Sequence, residues 1–412
     1  MEVSHLDLSA TIEPETSHVR VTGDVAFRGV EGKLEFILNP SLEVLKVNAL
    51  SGKKEIELDT TEVKPPTDLF APAAKYEVAL PENLKNQEEV EISVEYEGKI
   101  YRYIYDTARI RSSFVELAIY ALWYPMVDFG DRPSFTLKLE APEDWIWISN
   151  ATLTSSKPLT WNSDGPLTDI TLHGRPRSNA ISPDESSLFW GEPRYLERVK
   201  PLEQKFNSLR ETIVSWFGDP PSRDLRIILV PRDFGGGYAR NGLIVMQDDA
   251  IEELKDNEEA MIEFWGHEYS HSWFKKTTVE DYHNWVDEAC ATYASLLAIE
   301  SIYGKELFAE RIEKYRKKIE ETENLSPIKS TMRQDPNAQT IYYVYGTLIL
   351  HEIREKIGRE KSIEFMSRFA RRCAKEDKIV TDDLTETLEQ VTNEEWASFI
   401  EDRLSMTPRP LR

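Results

Sequence analysis

Apolar and polar residues alternate at a period of two through most of the first 180 positions. HVRVTGDVAFRG (18–29), KLEFILN (33–39), LEVLKVNAL (42–50), KYEVAL (75–80) and EVEISVEYEGKI (89–100) each place every second side chain on one face, as half-buried strands do. PSFTLKLEAP (133–142) and DWIWISNATL (144–153) continue the pattern. NPS at 39–41, SGKK at 51–54 and KPP at 64–66 supply turns between the runs. Many short strands with regular turns predict antiparallel sheets packed as a sandwich or saddle. The period changes near 186. YLERVKPLEQKFNSLRETIVSWFG (195–218) repeats apolar residues at helical spacing and ends in glycine. LRIILV (225–230), stopped by Pro231, and GLIVM (242–246) read as strands. Helices are expected over 249–275, 284–303, 305–322, 338–358, 360–374 and 381–404, the last with Thr381 as N-cap ahead of Asp382 and Asp383. The expected fold is α+β: an N-terminal β domain over 1–185 and a mainly helical domain over 186–412. No repeat or low-complexity linker separates them.

Composition narrows the partners. The chain has 412 residues, 40% hydrophobic and 30% charged, with a net charge of −23 and no block of Lys or Arg. Nucleic acid is therefore not an expected partner. The acidity reads as a soluble, self-repelling surface. FVELAIYALWYPM (114–126) is too short to cross a bilayer and carries a Glu, so no membrane partner is expected. MEVSHLDLSATIEPE lacks the basic start and apolar run of a secretory leader. Two cysteines, Cys290 and Cys373, make neither a disulfide framework nor a four-Cys zinc site, and point to a reducing, cytoplasmic setting. Cys290 is expected in the core.

The chemistry concentrates in WGHEYSHSWF (265–274). HEYSH fits H-E-x-x-H: His267 and His271, four apart on a helix, share a face and suit two ligands of one ion. Glu268 lies beside them, placed to act as general base on a metal-bound water. Met261, Ile262, Phe264 and Trp265 give that helix an apolar side to bury. A catalytic zinc takes three protein ligands and keeps one position open. NWVDEACATY (284–293) offers Glu288 as the third, with sixteen residues between it and His271. Asp287 competes, but it points about 100° away on the same helix, so one of the two faces the metal. His283 is expected at the surface, with a fourth-ligand role open to it, and His351 is expected on a helix face.

These motifs resemble the aminopeptidase N family of zinc peptidases, a gluzincin group whose catalytic domain is thermolysin-like. HEYSHSWF matches the family's first motif, including Trp273 and Phe274, and NWVDEACATYAS matches its Glu-ligand stretch. The intervening sixteen residues stand where the family has eighteen, implying a shortened turn. Downstream, YYVYGTLILHEIREKIG (342–358) resembles the family's Tyr-x-Lys-Gly helix, with Tyr343 three residues before Gly346 and Tyr345 in place of the Lys. The resemblance implies that Tyr343 donates to the developing oxyanion. Upstream, GGGYARNGLIVM (235–246) occupies the place of the family's Gly-Ala-Met-Glu-Asn motif. It makes Gly236, Gly237, Ala239 and Arg240 candidate substrate contacts, with the glycines opening the backbone to a peptide. The acid that grips a substrate's free amine in the family is replaced by Ala239 or Arg240. Glu116 stands where another family acid reaches that amine; a ligand amine, or a salt bridge to Arg109 or Arg111, would explain a carboxylate in so apolar a run.

The resemblance implies one zinc per chain on His267, His271 and Glu288, and a peptide substrate cut by a water that Glu268 activates. It also implies a relaxed need for a free N-terminus. The family's large helical domain over the active site has no counterpart before the chain ends at RLSMTPRPLR, which implies a more open site. A thermolysin-type endopeptidase is the nearest alternative, and a non-catalytic binding scaffold of the same fold is the other.

Overall fold

The computed structural model describes residues 1–51, 54–64, 72–85, 87–100, 109–182, 184–222, 224–232, 237–279, 281–376 and 378–410. The chain forms two compact units: Met1–Arg194 with Arg226–Asp249, and Tyr195–Leu225 with Ala250–Arg412.

The first unit is built of strands, as their period-two burial requires. Its largest sheet, among the described residues, has eight strands in the order Thr152–Ser156, Leu159–Asn162, Ser134–Glu140, Glu2–Glu13, His18–Arg28, Glu89–Lys99, Leu42–Ser51 and Lys54–Glu57. Pairing is antiparallel except between Glu2–Glu13 and Ser134–Glu140, which run parallel. Glu2–Glu13 is not among the strands expected from the sequence, although Leu6, Leu8, Ala10 and Ile12 alternate and are buried. The 144–153 run, expected as one strand, is two: Trp145–Ser149 and Thr152–Ser156 lie in different sheets. Trp145–Ser149 belongs to a four-stranded sheet with Leu172–Pro176, Phe114–Leu117 and Arg109–Arg111. A further four-stranded sheet orders Phe189–Trp190, Arg226–Val230, Leu243–Gln247 and Gly237–Arg240. Its Trp190, Ile228, Val230, Tyr238 and Val245 form a buried cluster with Phe114 and Ala118.

The second unit is helical. Its α-helices are α1 Leu196–Phe217, α2 Glu258–Ser270, α3 Trp285–Tyr303, α4 Lys305–Glu321, α5 Gly346–Ile357, α6 Arg359–Cys373, α7 Thr381–Thr392 and α8 Ala397–Ser405. Three of these differ from the sequence expectation. The 249–275 segment opens as a 3₁₀ run, Asp249–Asp256, and becomes α-helical only at Glu258. The 338–358 segment opens as a π-helix, Thr340–Tyr345, ahead of α5. The 381–404 segment is broken at Asn393, which takes a left-handed φ of 60° and separates α7 from α8. Thr381 is the first residue of α7 rather than its cap; the Asp383 carboxylate accepts from the Val380 N–H at 2.8 Å.

α3 is the axis of this unit. Trp285 through Glu300 are all buried, so the helix is enclosed on every side. Two glycines let neighbours approach it. A Cβ on Gly266 of α2 would collide with Ser295 Oγ, and one on Gly346 would lie 2.9 Å from Ala289 Cβ and 3.1 Å from Trp285 Cε3.

Candidate metal centre

α2 brings the first two candidates in. Glu258 and Glu259 occupy its first turn, where carboxylates favour the helix N-terminus. Ile262, Trp265 and Tyr269 bury its apolar side, and Phe206 packs edge-on against Trp265. His267 and Glu268 follow on the last turn and are both 8% exposed. His271 is the C-cap residue, still in the right-handed helical region at φ −62° and ψ −9°. The two imidazoles therefore keep the one-turn relation expected of them.

Glu288 sits in the first turn of α3. Its Oε2 lies 3.5 Å from His267 Nε2 and 3.3 Å from His271 Nε2, and the two Nε2 atoms are 3.1 Å apart. Asp287 faces elsewhere: its Oδ2 accepts from the Thr277 N–H at 2.9 Å and the Thr277 hydroxyl at 2.6 Å. It ties down the loop between α2 and α3, which leaves Glu288 to the histidines.

The other ring nitrogens are engaged. His271 Nδ1 donates to the Phe274 carbonyl at 2.8 Å. His267 Nδ1 lies 3.0 Å from Thr292 Oγ1, whose own proton goes to the Glu288 carbonyl at 2.8 Å, so the imidazole donates. Both histidines thus carry Nδ1–H and turn an Nε2 lone pair inward. Glu288 Oε2 is buried and accepts no hydrogen bond. Two lone pairs and a carboxylate oxygen, converging in a buried site, repel one another unless a cation lies between them. The donor set and its second layer of hydrogen bonds fit a zinc ion.

The electrostatics agree. Burial opposes a charged imidazole at His271, but Glu288, with Glu268 behind it, outweighs burial and raises the group to about 9, so without an ion a proton takes the inward Nε2 that a cation would otherwise occupy. Burial likewise opposes the Glu288 carboxylate, yet His271, His267 and Arg333 hold it well below the usual range. The site favours positive charge.

Tyr343 lies on the π-helical turn, a common device at functional sites. Its ring stacks on His267 with centroids 5.2 Å apart. Tyr342 and Tyr345 serve other ends, donating to the carbonyls of Thr331 and Arg403. Burial and Glu288 raise the Tyr343 phenol well above its ordinary value, so it stays a hydrogen donor. Sequence reasoning missed Arg333, which belongs to no motif. Its Nη1 lies 3.1 Å from Glu288 Oε1, and its Nη2 donates to Tyr343 Oη at 2.7 Å.

The remaining candidates divide. His283 stands away from the ligands; its Nδ1 accepts from the Thr381 N–H at 3.0 Å. His351 lies on α5, where its side chain is buried, and Cys290 is buried as expected. In the first unit, Gly236 lies outside the described residues, while Gly237, Ala239 and Arg240 form a strand antiparallel to Leu243–Gln247. The Arg240 guanidinium is bound by Asp169 Oδ2 at 2.6 Å and lies over the Tyr238 ring. Glu116 is fully buried. Its ion-pair partner is Arg232, at 2.5 Å, rather than the neighbours in sequence, and Tyr238 donates to it at 3.0 Å. Its Oε2 has no hydrogen-bond partner.

Residues 223–402 match the family model for the Peptidase family M1 domain. The fold is similar to that of an M1 zinc metallopeptidase from Deinococcus radiodurans, with a TM-score of 0.72 at 18% identity over 99% of this chain and 95% of that one. A mutant of that enzyme bound to a Tyr-Ser-Ala substrate gives 0.71 at 18% identity, over 99% and 96%. Yeast LTA4 hydrolase in complex with bestatin gives 0.74 at 15% identity, over 99% of this chain and 69% of that one. At these identities the likeness is one of fold. A search of curated proteins gives no significant match. Residues 223–402 thus match a Peptidase family M1 domain, the whole chain has a fold similar to that of two-domain M1 zinc metallopeptidases, and its His-His-Glu group fits zinc.

Proposed function

We propose that this protein hydrolyses peptide bonds with Glu268 as general base and Tyr343 as oxyanion donor, and that it has a relaxed need for a free substrate N-terminus. The observation that carries the reading is the convergence of two Nε2 lone pairs and the Glu288 carboxylate beside a protonated Tyr343. Bound zinc supplies a Lewis acid for the scissile carbonyl and makes water a better nucleophile at neutral pH. Glu268 takes the proton of the attacking water and delivers it to the leaving amine. The Tyr343 hydroxyl donates to the carbonyl oxygen as it becomes an oxyanion. The peptide bound to the Deinococcus enzyme supports short peptides as substrates.

The amine end carries the departure from a strict aminopeptidase. Ala239 and Arg240 supply no acid, and Arg240 is already paired with Asp169. Glu116 is enclosed by Arg232 and Tyr238. Both contacts fall on Oε1, and the carboxylate is fully buried, so an amine could reach Oε2 only by opening the core around it.

Two measurements test this. Glu268→Gln should retain about one zinc per chain while kcat/KM falls on the order of 10²- to 10⁴-fold; an unchanged rate rules out the mechanism. A free-amine peptide and its N-acetylated twin should be cut at comparable rates. Cleavage of the free amine alone restores a strict aminopeptidase, and cleavage at internal bonds of the blocked peptide favours a thermolysin-type endopeptidase.

A further inference from the structure

Arg333 touches two parts of the centre at once. One terminal nitrogen faces Glu288 Oε1, the carboxylate oxygen turned away from the histidines, and the other donates to the Tyr343 phenol oxygen. The guanidinium also lies over the Tyr343 ring, 5.2 Å from its centroid. We propose that Arg333 is a positioning residue of the metal centre, tying the third ligand to the oxyanion donor through one planar fork. This rests on the peptidase reading for the role of Tyr343, but not for the contact with Glu288.

Three consequences follow from the geometry. The guanidinium is rigid and planar, so its two terminal nitrogens set the separation between the carboxylate and the phenol. A phenol oxygen that accepts from Arg333 keeps its own hydrogen for another acceptor, and the substrate carbonyl is the one that needs it. The charge balance also shifts. The Glu268 and Glu288 carboxylates offset a divalent ion, and the guanidinium leaves the centre one charge more positive, which favours an oxyanion. A lysine keeps the charge but cannot reach both partners with one flat group.

The test uses the full chain carrying Arg333→Met, Arg333→Lys, Tyr343→Phe or both Arg333→Met and Tyr343→Phe. Zinc affinity is read by chelator competition and ligand geometry by the visible spectrum of the cobalt-substituted protein. Arg333→Met should weaken zinc binding about 10- to 100-fold and alter the cobalt spectrum. It should lower kcat while leaving KM close to wild type. Arg333→Lys should recover zinc affinity but not kcat, and Arg333→Gln, which also loses the charge, serves in place of the Met variant if that one fails to fold. The double variant should lose less kcat than the product of the two single losses, because Arg333 acts in part through the phenol. Unchanged zinc affinity and spectrum in the charge-removing variant overturn the proposal. So does a rise in KM alone that vanishes for C-terminally amidated peptides, which would make Arg333 a substrate-carboxylate site. If Glu268→Gln stays active while the zinc and cobalt readouts move, the peptidase reading fails and the Arg333–Glu288 contact stands.

Discussion

At the residue scale, the centre was legible where chemistry demands a fixed spacing. His267 and His271 had to share a helical face, and Glu288 was the acid at the right remove; the structure brings the three together. What decided between Glu288 and Asp287 was not spacing but Thr277, whose two donors hold Asp287 away. Arg333 could not be read at all. It lies in TMRQDPNAQT, outside any motif or regular helix, and gains its meaning only from the fold. Tyr343 carries the sharpest expectation at this scale. Tyr343→Phe keeps the ring that stacks on His267 and removes only the donor. It should lower kcat about 10²- to 10³-fold with little change in KM or zinc content. Steady-state kinetics with metal analysis on one sample would show it, and a change confined to KM would assign the phenol to substrate binding instead.

At the element scale, periodicity located most strands and helices and misjudged their interruptions. A helical period cannot distinguish one long helix from two joined by a turn, so the break at Asn393 stayed hidden. Nor can it announce the π-turn at Thr340–Tyr345, since a π-helix differs from an α-helix by a single residue of register. Glycines gave the useful clue. Gly346 is where α5 starts against α3, and its missing side chain sets that distance. Ala for Gly inside a helix normally stabilises by about 1 kcal/mol. Here the added methyl would meet Ala289 and Trp285, so Gly346→Ala should instead destabilise by about 1–3 kcal/mol. The urea midpoint reads the sign. Because Ala289 follows Glu288 and Gly346 follows the Tyr343 turn, the same variant should also lower kcat.

At the scale of the whole molecule, acid lability is expected from both units. Burial, reinforced by Arg232 and Arg240, lowers His173 in the first unit to about 3. Burial, with Arg316 and Arg354, lowers His351 in the second to about 4, against 6.5 when unfolded. Each favours the neutral imidazole, so its contribution to stability is complete above pH 6.5. For His351 it is lost as pH falls from 6.5 towards 4, at up to about 1.4 kcal/mol per pH unit. Asp131, raised to about 7 by burial, works in the opposite sense across 3.8 to 7. A difference measurement separates them. His351→Leu should unfold with a shallower pH dependence than wild type across that window, and parallel curves would remove His351 from the account.

The order in which the chain visits its two units has a consequence for how the molecule can be inherited or rebuilt. It leaves the first unit at Arg194, returns at Arg226 to add three strands, and departs again at Asp249. The change of period near 186 marks where strands give way to helices, but a single crossover there would part Phe114 and Ala118 from Trp190, Ile228 and Val245, with which they share one buried cluster. Recombination with a relative, or a hybrid assembled in the laboratory, must therefore exchange two segments together. The unit that holds the metal ligands is modular in space but not along the gene.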